Sequence, residues 1–401
     1  MEERAGSVED VVKGPASASA APATKTSELF GGTFAGRRVL VTGHTGFKGS
    51  WLCEWLLSMG AEVSGFALEP PTNPSLFQDL GLAARIATHR IGDVRDGEEL
   101  RRFVTEVRPE VVFHLAAQPL VRLSYEQPVE TYATNVMGTV NLLEAIRGCE
   151  SIRVLVNVTS DKCYENRETG QAYRETDAMG GWDPYSSSKG CAELVTSAYR
   201  RSFFGEGSPV RIASARAGNV IGGGDWAVDR IVPDCIRALT AGEPIMVRDP
   251  EAVRPWQHVL EPLSGYLHLA SRLLKGGPRF DGPWNFGPEE HGTVRVREVV
   301  DAIVDAWGSG SWTTPAGSGE QPHEAHLLAL DITKAREELG WRPLYDVAAA
   351  VRMTAGWYAE RYAGCDATAL TRGQIDDYVD EARRQNAAWT SGSRDTTEGH
   401  L

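Results

Sequence analysis

The feature that most constrains the fold is a run of three closely spaced glycines, Gly43, Gly46 and Gly49. Residues 39–42 before them are apolar and β-branched, which predicts a strand, and the apolar periodicity of residues 50–59 predicts a helix directly after them. Glycines at this spacing tighten the turn and let backbone N–H groups approach a pyrophosphate at the helix N-terminus. The order strand, loop, helix therefore favours a dinucleotide-binding unit over an ordinary glycine turn.

Strand patterns recur along the chain at residues 62–67, 111–114, 154–158 and 211–216, with helical stretches such as 98–107 and 131–147 between them. This alternation predicts an α/β fold with a Rossmann-type, doubly wound parallel sheet, and the continuous apolar runs suit strands covered on both faces. After about Gly218 the alternation stops. Helices expected at 259–274, 296–306, 332–339 and 347–363 then predict a smaller, mixed C-terminal substrate-binding lobe.

The predicted boundaries follow from these patterns. Residues 1–35 are expected to form a disordered leader, because residues 11–33 are rich in Ala, Ser, Pro, Thr and Gly. Residues 36–217 are expected to form the dinucleotide-binding domain, and residues 218–363 mainly the substrate-binding lobe, with segments returning to the first domain. Residues 364–401 are expected to be a polar C-terminal extension with a weak helix around 372–384.

Composition excludes several classes of partner. The chain has 54 acidic against 41 basic residues, and a net charge of -13 gives little attraction for nucleic acid or anionic lipid. The longest uncharged apolar run, residues 111–121, is shorter than the roughly 18 residues that a membrane span needs. Six scattered cysteines without a CxxC pair indicate neither a disulfide framework nor zinc, and no histidine spacing suggests another metal. With no signal-peptide pattern, we expect a cytoplasmic protein.

The identity of the dinucleotide depends on an acidic residue about 20 positions after the loop, where it would bind the ribose hydroxyls. Glu69 follows the second predicted strand at that distance, and no Arg or Lys lies between it and Asp79 to hold a 2′-phosphate. NAD is therefore favoured over NADP. Lys48 within the loop could meet a phosphate, which weakens this preference, and a solvated acid at a strand end is the alternative reading of Glu69.

A tyrosine and a lysine four residues apart, Tyr185 and Lys189, open a later helical segment and should share one helix face. A neighbouring lysine charge and the nicotinamide cation would make the phenolate accessible, so that Tyr185 could act as general base on an alcohol. A surface Tyr/Lys pair is the alternative for this motif alone. Thr159 and Ser160 close the preceding strand, where a hydroxyl could bond the same substrate oxygen or merely cap the strand end.

Together these motifs resemble the extended short-chain dehydrogenase/reductase family. The resemblance spans about residues 36–363, and the residues that carry it include the glycine loop, Asp93 with its flanking Gly92 and Val94, the segment His114-Leu115-Ala116-Ala117-Gln118, Asn135, and Tyr185 with Lys189. Within that family the chain is most similar to the branch that dehydrates CDP-glucose. This narrower match rests on residues 43–51, 70–77, 159–164, 216–226 and 254–259.

The resemblance implies oxidation of glucose carbon 4 by bound NAD, loss of water across carbons 5 and 6, and return of the hydride to carbon 6. Elimination needs an acid at the departing hydroxyl and a base at carbon 5, and the matching strand end supplies Asp161 and Lys162. In the related dTDP-glucose dehydratases the second position is glutamate. A lysine base must be neutral, which requires a lowered pKa, so Lys162 could instead only stabilise an enolate.

The resemblance also implies the binding residues. The cofactor is expected to contact Gly43, His44, Thr45, Gly46, Phe47, Lys48, Gly49, Glu69, Asp93, Val94, Ala116, Ala117, Gln118, Asn135, Tyr185 and Lys189. The nucleotide sugar is expected to contact Gln118, Asn219, Arg230, Arg254 and Trp256, with the arginines on its diphosphate.

Two alternatives stay open: an NAD-dependent nucleotide-sugar epimerase with the same loop and Tyr/Lys pair, and a non-catalytic dinucleotide-binding regulator. We further expect a homodimer in which residues 131–147 and 185–203 form a four-helix contact across a two-fold axis.

Overall fold

A seven-stranded parallel sheet forms the centre of the fold. The computed structural model describes residues 26–167, 170–289, 293–315 and 328–390. The strands in chain order are β1 (Arg38–Thr42), β2 (Glu62–Ala67), β3 (Thr88–Ile91), β4 (Val111–His114), β5 (Val154–Val158), β6 (Arg211–Ala217), β7 (Val220–Ile221), β8 (Ile245–Met246), β9 (Val253–Pro255), β10 (Gln257–His258), β11 (Gly282–Phe286), β12 (Thr293–Arg295) and β13 (Trp312–Thr313). The main sheet has the order β11-β6-β5-β4-β1-β2-β3, which confirms the doubly wound prediction.

Helices connect and cover the strands, and acidic side chains begin several of them: Asp96, Asp183, Asp346 and Asp366 each accept a bond from a free N–H of the first turn. The helices are α1 (Leu29–Gly32), α2 (Phe47–Ser58), α3 (Leu76–Asp79), α4 (Gly97–Val107), α5 (Val121–Glu126), α6 (Pro128–Tyr132), α7 (Gly138–Arg147), α8 (Pro184–Phe203), α9 (Ile231–Ala241), α10 (Leu260–Gly276), α11 (Val296–Trp307), α12 (Val347–Tyr362) and α13 (Ala367–Arg384). Short 3₁₀ turns lie at Leu82–Ala84, Asp161–Cys163 and Gly277–Phe280, and π turns at Ala133–Met137 and Ala335–Leu339.

The sheet is buried on both faces. In β1, Val39 and Val41 point into the core that contains α2 and α10, whereas Leu40 points into the core that contains α4 and α7. Alternate side chains therefore meet two separate apolar layers. This explains why the strands read as continuous apolar runs instead of alternating ones.

Two strands of the main sheet were not predicted. β3 carries Thr88, His89 and Arg90, which lack an apolar pattern, and β11 contains a proline and a glycine. β11 pairs with β6 although it lies well beyond residue 218. The part of the chain that follows the sixth strand thus completes the sheet.

The predicted end of the leader is wrong for the residues that are described. Leu29, Phe30 and Phe34 are buried in the main core, and Phe30 stacks on Trp389 with a centroid distance of 5.1 Å. The Phe30 N–H also donates to the Trp389 carbonyl at 2.8 Å. Phe30 thus contacts a residue more than 300 positions away in the sequence, which local composition cannot reveal. Residues 1–25 of the predicted leader lie outside the described residues.

The prediction of a polar C-terminal extension is also wrong for residues 364–390. The helix α13 begins five residues before the expected position and buries Ile375, Tyr378 and Val379 against the core, while Arg372 pairs with the fully buried Glu54 of α2 at 2.6 Å. Residues 391–401 lie outside the described part. Among the described helices, none is long and apolar enough to cross a membrane.

The packing of Phe30 on the core can be tested by replacing its side chain. Phe30→Ala should lower the free energy of unfolding by about 3–5 kcal/mol, because it removes a buried aromatic ring and leaves a cavity beside Trp389. Urea denaturation measures the loss. Met246→Ala, at a side chain that is 52% exposed, should change stability by less than about 0.5 kcal/mol. An equally small effect at Phe30 would show that residues 26–35 do not pack on the core.

Candidate active site

The glycine loop at the carboxyl end of β1 leaves no room for side chains at two of its glycines. Gly43 has a φ of +74°, and a Cβ built there would lie 2.7 Å from the Ala116 nitrogen. A Cβ at Gly49 would lie 2.2 Å from the Gly43 carbonyl oxygen. The loop therefore packs backbone against backbone, and α2 begins at the edge of the sheet with Gly46 as its N-cap. This cradle fits a dinucleotide pyrophosphate.

The polar side chains of the loop turn inward. His44 is buried and its Nε2 lies 2.8 Å from Nδ1 of His89; burial and the neighbouring His89 lower the pKa of His44 to about 3. Thr45 donates its hydroxyl to the Leu68 carbonyl at 2.9 Å. Phe47 packs against the main core and is partly buried. With these side chains turned away, the backbone of residues 43–47 is the surface that this part of the loop offers to a ligand.

The acidic residues predicted to bind the cofactor lie at neighbouring strand ends. Glu69 is exposed just beyond β2, and Asp93, just beyond β3, forms an ion pair with Arg95 at 2.6 Å. Val94 is buried against α7, where it contacts Gly138 closely. The strand order places β2 and β3 on the same side of β1, so these residues lie along one edge next to the glycine loop.

Hydrogen bonds fix the conformation of the segment that follows β4. Ala116 and Ala117 are half-buried, and the Ala116 N–H donates to the Thr42 hydroxyl at 3.3 Å. The Gln118 side chain donates to Leu120 O and Thr131 Oγ1 and accepts from Leu120 N. Its amide is therefore used within the turn and not turned towards a ligand.

Asn135 supports the same turn from the π segment. Its buried amide accepts from the Gln118 N–H at 2.8 Å and donates to the Ser188 hydroxyl at 2.8 Å. Asn135 therefore links the turn after β4 to α8, and it positions the loop through its neighbours.

Tyr185 and Lys189 lie one turn apart on α8, and both are buried. The Lys189 Nζ is 5.9 Å from the centroid of the Tyr185 ring. Burial raises the pKa of Tyr185 to about 12, against the lowering effect of the Ser160 hydroxyl, and burial lowers the pKa of Lys189 to about 8. In the protein alone, desolvation outweighs the lowering effects of Ser160 and Arg230 on the pKa of Tyr185, so the predicted phenolate requires the additional charge of a bound cofactor.

Ser160, Asp161 and Lys162 lie on the 3₁₀ turn directly after β5. The Ser160 hydroxyl donates to Asp161 Oδ1 at 3.0 Å and accepts from the Lys162 N–H at 3.2 Å. Asp161 is buried, and burial raises the pKa of its carboxyl, although Lys162 and Arg254 act in the opposite direction. Lys162 is half-buried. A carboxyl that retains its proton more readily than usual is suited to act as a general acid.

Lys48 reaches this same cluster from the cofactor loop. Its Nζ lies 5.8 Å from the ring centroid of Tyr266 on α10. Burial, reinforced by the nearby cations Arg230 and Lys189 and opposed by Asp161, lowers the pKa of Lys48 to about 7. Its amine therefore faces the catalytic side of the cleft. The sequence places Lys48 only in the loop, and no motif marks Tyr266.

A buried polar network supports the end of β5 from behind. Glu193 of α8 accepts bonds from Thr159, Ser214 and Arg216, and the Arg216–Glu193 pair measures 2.8 Å. Arg216 also donates to the Tyr164 hydroxyl at 2.7 Å. This network ties α8 to β5 and β6, and thereby fixes Tyr185 relative to Ser160. Its members come from separate motifs, and their sequence spacing gives no sign of the contact.

The residues predicted to hold the sugar nucleotide lie beyond β6, at the start of α9, and in or directly after β9. Asn219 is half-buried beyond β6, and Arg230 pairs with Asp225 at 2.8 Å. Arg254 is half-buried and close enough to Asp161 to lower its pKa. Trp256 is buried, and its indole N–H has no partner among the described residues. The two arginines therefore approach the catalytic cluster from the C-terminal lobe.

Comparison with known proteins agrees with this site. Residues 39–280 match the model of the NAD dependent epimerase/dehydratase family. The chain is 52% identical over 355 residues to the CDP-glucose 4,6-dehydratase of Salmonella typhimurium, covering 87% of this chain and 98% of that protein. It is 29% identical over 338 residues to a dTDP-glucose 4,6-dehydratase of Xanthomonas campestris, covering 80% and 92%. The chain belongs to the NAD dependent epimerase/dehydratase family, as its resemblance indicated.

Solved structures share the fold. The dTDP-glucose 4,6-dehydratase of Streptomyces venezuelae with NAD and TYD bound is 23% identical, with a TM-score of 0.69 and coverage of 82% of this chain and 99% of that chain. The UDP-glucose 4-epimerase of Thermus thermophilus in complex with NAD is 27% identical, with a TM-score of 0.66 and coverage of 80% and 98%. The fold therefore accommodates both dehydratases and epimerases, and the site residues must distinguish them.

The loop geometry predicts loss of dinucleotide binding in Gly49→Ala. The added methyl group would meet the Gly43 carbonyl, so the cradle must open, and NAD affinity measured by calorimetry should fall by about 100-fold or more, or 2.7 kcal/mol. Gly356→Ala is the matched control, because a Cβ there meets nothing within 4 Å and alanine favours the helix. Unchanged NAD affinity in Gly49→Ala would contradict the role assigned to the loop.

Proposed function

We propose that this protein is a hydro-lyase that converts CDP-glucose to CDP-4-keto-6-deoxyglucose, a 4,6-dehydration in deoxysugar biosynthesis. The observation that carries the proposal is the similarity to a CDP-glucose 4,6-dehydratase along 98% of that protein. The site supports it independently, because Tyr185 and Lys189 adjoin a strand end that carries both Asp161 and Lys162.

The cofactor is NAD, which when bound accepts a hydride from carbon 4 and returns it to carbon 6. The backbone of residues 43–49 would hold its pyrophosphate in the cradle described above. Glu69, exposed at the end of β2, would accept bonds from the adenosine ribose, and its charge would repel a 2′-phosphate. Asp93 and Val94 would flank the adenine, while Ala116 and Ala117 would approach the other half.

Tyr185 serves the oxidation. Its phenolate removes the proton of the 4-hydroxyl, and Lys189 stabilises the phenolate from the same helix face. The Ser160 hydroxyl, which already lowers the pKa of Tyr185, would bond the same sugar oxygen. Because burial raises that pKa, the phenolate forms when the positive charges of Lys189 and of the bound cofactor are close to Tyr185.

Asp161 and Lys162 serve the elimination. The 4-ketone acidifies the hydrogen on carbon 5, and a protonated Asp161 gives its proton to the departing 6-hydroxyl. Burial favours this protonated form. Next to this acid, Lys162 of the same turn would either remove the carbon 5 proton or stabilise the enolate that forms. The diphosphate would be held by Arg230 and Arg254. The nucleotide sugar would also contact Asn219 and Trp256, and Gln118 would shape the adjoining loop.

The alternatives account for less of the site. An epimerase needs the glycine loop, Tyr185 and Lys189 but has no use for an acid at carbon 6, whereas Asp161 is buried next to the catalytic tyrosine. A non-catalytic regulator needs no catalytic groups, so it would have no use for Tyr185 and Lys189. The dehydratase is the function that uses every one of these groups.

We also propose that the protein is a cytoplasmic homodimer. Large apolar side chains are exposed on α6, the adjoining π turn and α8; they are Val129, Tyr132, Met137, Leu194 and Phe203. Since α6 and the π turn both pack on α8, these side chains come from neighbouring elements, and a second copy would cover them. The six free thiols, of which Cys365 is exposed, suit a reducing compartment.

Two substitutions separate the half-reactions. Tyr185→Phe removes the ionisable oxygen, so NADH formation and product formation should both fall by about 10²–10⁴-fold. Asp161→Asn leaves oxidation intact but removes the acid, so enzyme-bound NADH should accumulate during a single turnover with CDP-glucose. Absorbance at the NADH band and rapid quench follow the two steps. Product formation without delay in Asp161→Asn would contradict the assignment of the acid.

Leu194→Asp tests the homodimer. Leu194 is 59% exposed, and a charge at that position would be buried without a partner in the interface. Light scattering at micromolar concentration should report a dimer for the unmodified chain and a monomer for the variant. Met246→Asp, at an exposed position on β8, should remain dimeric. A dimer that survives Leu194→Asp would place the interface elsewhere.

A further inference from the structure

Two polar groups, one from the glycine loop and one from α10, lie next to each other without a hydrogen-bond partner. The Lys48 Nζ lies 5.8 Å from the centroid of the Tyr266 ring, and among the residues that the structure describes it makes neither a hydrogen bond nor an ion pair. The Tyr266 hydroxyl is fully buried and also has no partner there. An unpaired buried hydroxyl is costly, which indicates that a bound ligand completes this part of the site.

Packing around the segment 218–222 brings this pair to the catalytic edge of the sheet. A Cβ built at Gly222 would lie 3.1 Å from the Phe47 ring and 2.8 Å from the Val259 side chain. A Cβ built at Gly218 would lie 2.8 Å from Asp161 Oδ2. The first turn of α2, the start of α10 and the catalytic turn after β5 therefore meet at one short segment.

Positive charge dominates around the Lys48 amine. The charged groups that act on it are Arg230, Lys189 and Asp161. Asp161 is the one carboxyl of this set, and burial favours its protonated form. The face of the Tyr266 ring attracts a cation at this distance, so the ring holds the ammonium group in place. A ligand group that enters here meets a field that disfavours positive charge.

The proposed oxidation requires the nicotinamide to enter this field. The pyrophosphate would lie on the loop that carries Lys48, and the hydride must pass directly from carbon 4, held at Tyr185, to the nicotinamide ring. The ring therefore has to lie between the loop and Tyr185, on the side where Lys48 and Lys189 act on each other. The positive charge of the ring is lost when the hydride is accepted.

Resting on the oxidation step of the function proposed above, we propose that the Lys48 ammonium, held on the Tyr266 ring, weakens the binding of NAD relative to NADH. The same repulsion would make the bound dinucleotide a stronger oxidant of carbon 4. A lysine that bound the pyrophosphate would behave differently, because NAD and NADH carry the same pyrophosphate and would both be held more tightly. The two roles therefore predict opposite effects on the binding of NAD.

The test measures the ratio of the NAD and NADH dissociation constants at pH 6, because burial lowers the pKa of Lys48 to about 7 and the amine is charged below that pH. Displacement of bound NADH by NAD, followed by NADH fluorescence, gives this ratio for unmodified protein, Lys48→Met and the charge-retaining control Lys48→Arg. In Lys48→Met, NAD should bind more tightly and the ratio should fall by about 10-fold or more, the scale of one nearby charge. Lys48→Arg should keep the original ratio.

An unchanged ratio in Lys48→Met would overturn the proposal, and equal weakening of both forms would then place the amine on the pyrophosphate. A fall in Lys48→Arg as large as that in Lys48→Met would also overturn it, because the charge would not be the cause. If Lys48→Met fails to fold, Lys48→Gln removes the same charge and should show the same fall. If the predicted ratios are found but the unmodified protein forms no 4-keto product from CDP-glucose, the proposed function fails and the assignment of Lys48 stands.

Discussion

The close approach of the β1–α2 loop to the end of β4 is the constraint on which the rest of the site depends. Gly43 and Gly49 allow backbone atoms to meet where any side chain would intrude, and α2 consequently begins at the carboxyl edge of the sheet. From there Lys48 extends into the cleft towards Tyr266. The same short loop therefore forms the cofactor cradle and contributes Lys48 to the catalytic cluster.

Parallel strand order brings the remaining groups to the same edge. β4, β5 and β6 lie side by side, so the turn held by Gln118, the Ser160–Lys162 segment and Asn219 converge although more than 100 residues separate the first from the last. The buried Arg216–Glu193 pair then fixes α8 against β5 and β6. Burial sets the chemistry of the cluster: it favours protonated Asp161 and protonated Tyr185, and it weakens the charge on Lys48 and Lys189. These protonation states must therefore change when substrate and cofactor bind.

Sequence analysis predicted the elements whose signal is local. The bounds of β1, β2, β4, β5 and β6 agree with prediction to within one residue, and α8 begins one residue before its predicted start. β3 and β11 have weak sequence patterns. They form because the backbone N–H and C=O groups of the neighbouring strands are available for hydrogen bonding. Likewise Phe30 and α13 depend on partners at the opposite end of the chain. The segment predicted as one helix over 131–147 is instead α6, a π turn and α7, with the π turn placing Asn135 against Gln118.

The dehydratase assignment is tested most directly by the mass of the product. The purified protein would be incubated with NAD and, separately, with CDP-, dTDP-, UDP- and GDP-glucose, and each nucleotide sugar analysed by mass spectrometry and by the alkali-induced absorbance of a 4-keto sugar. CDP-glucose should lose the mass of one water and gain the 4-keto absorbance. An isomeric product of unchanged mass would instead identify an epimerase, and would contradict the roles given to Asp161 and Lys162.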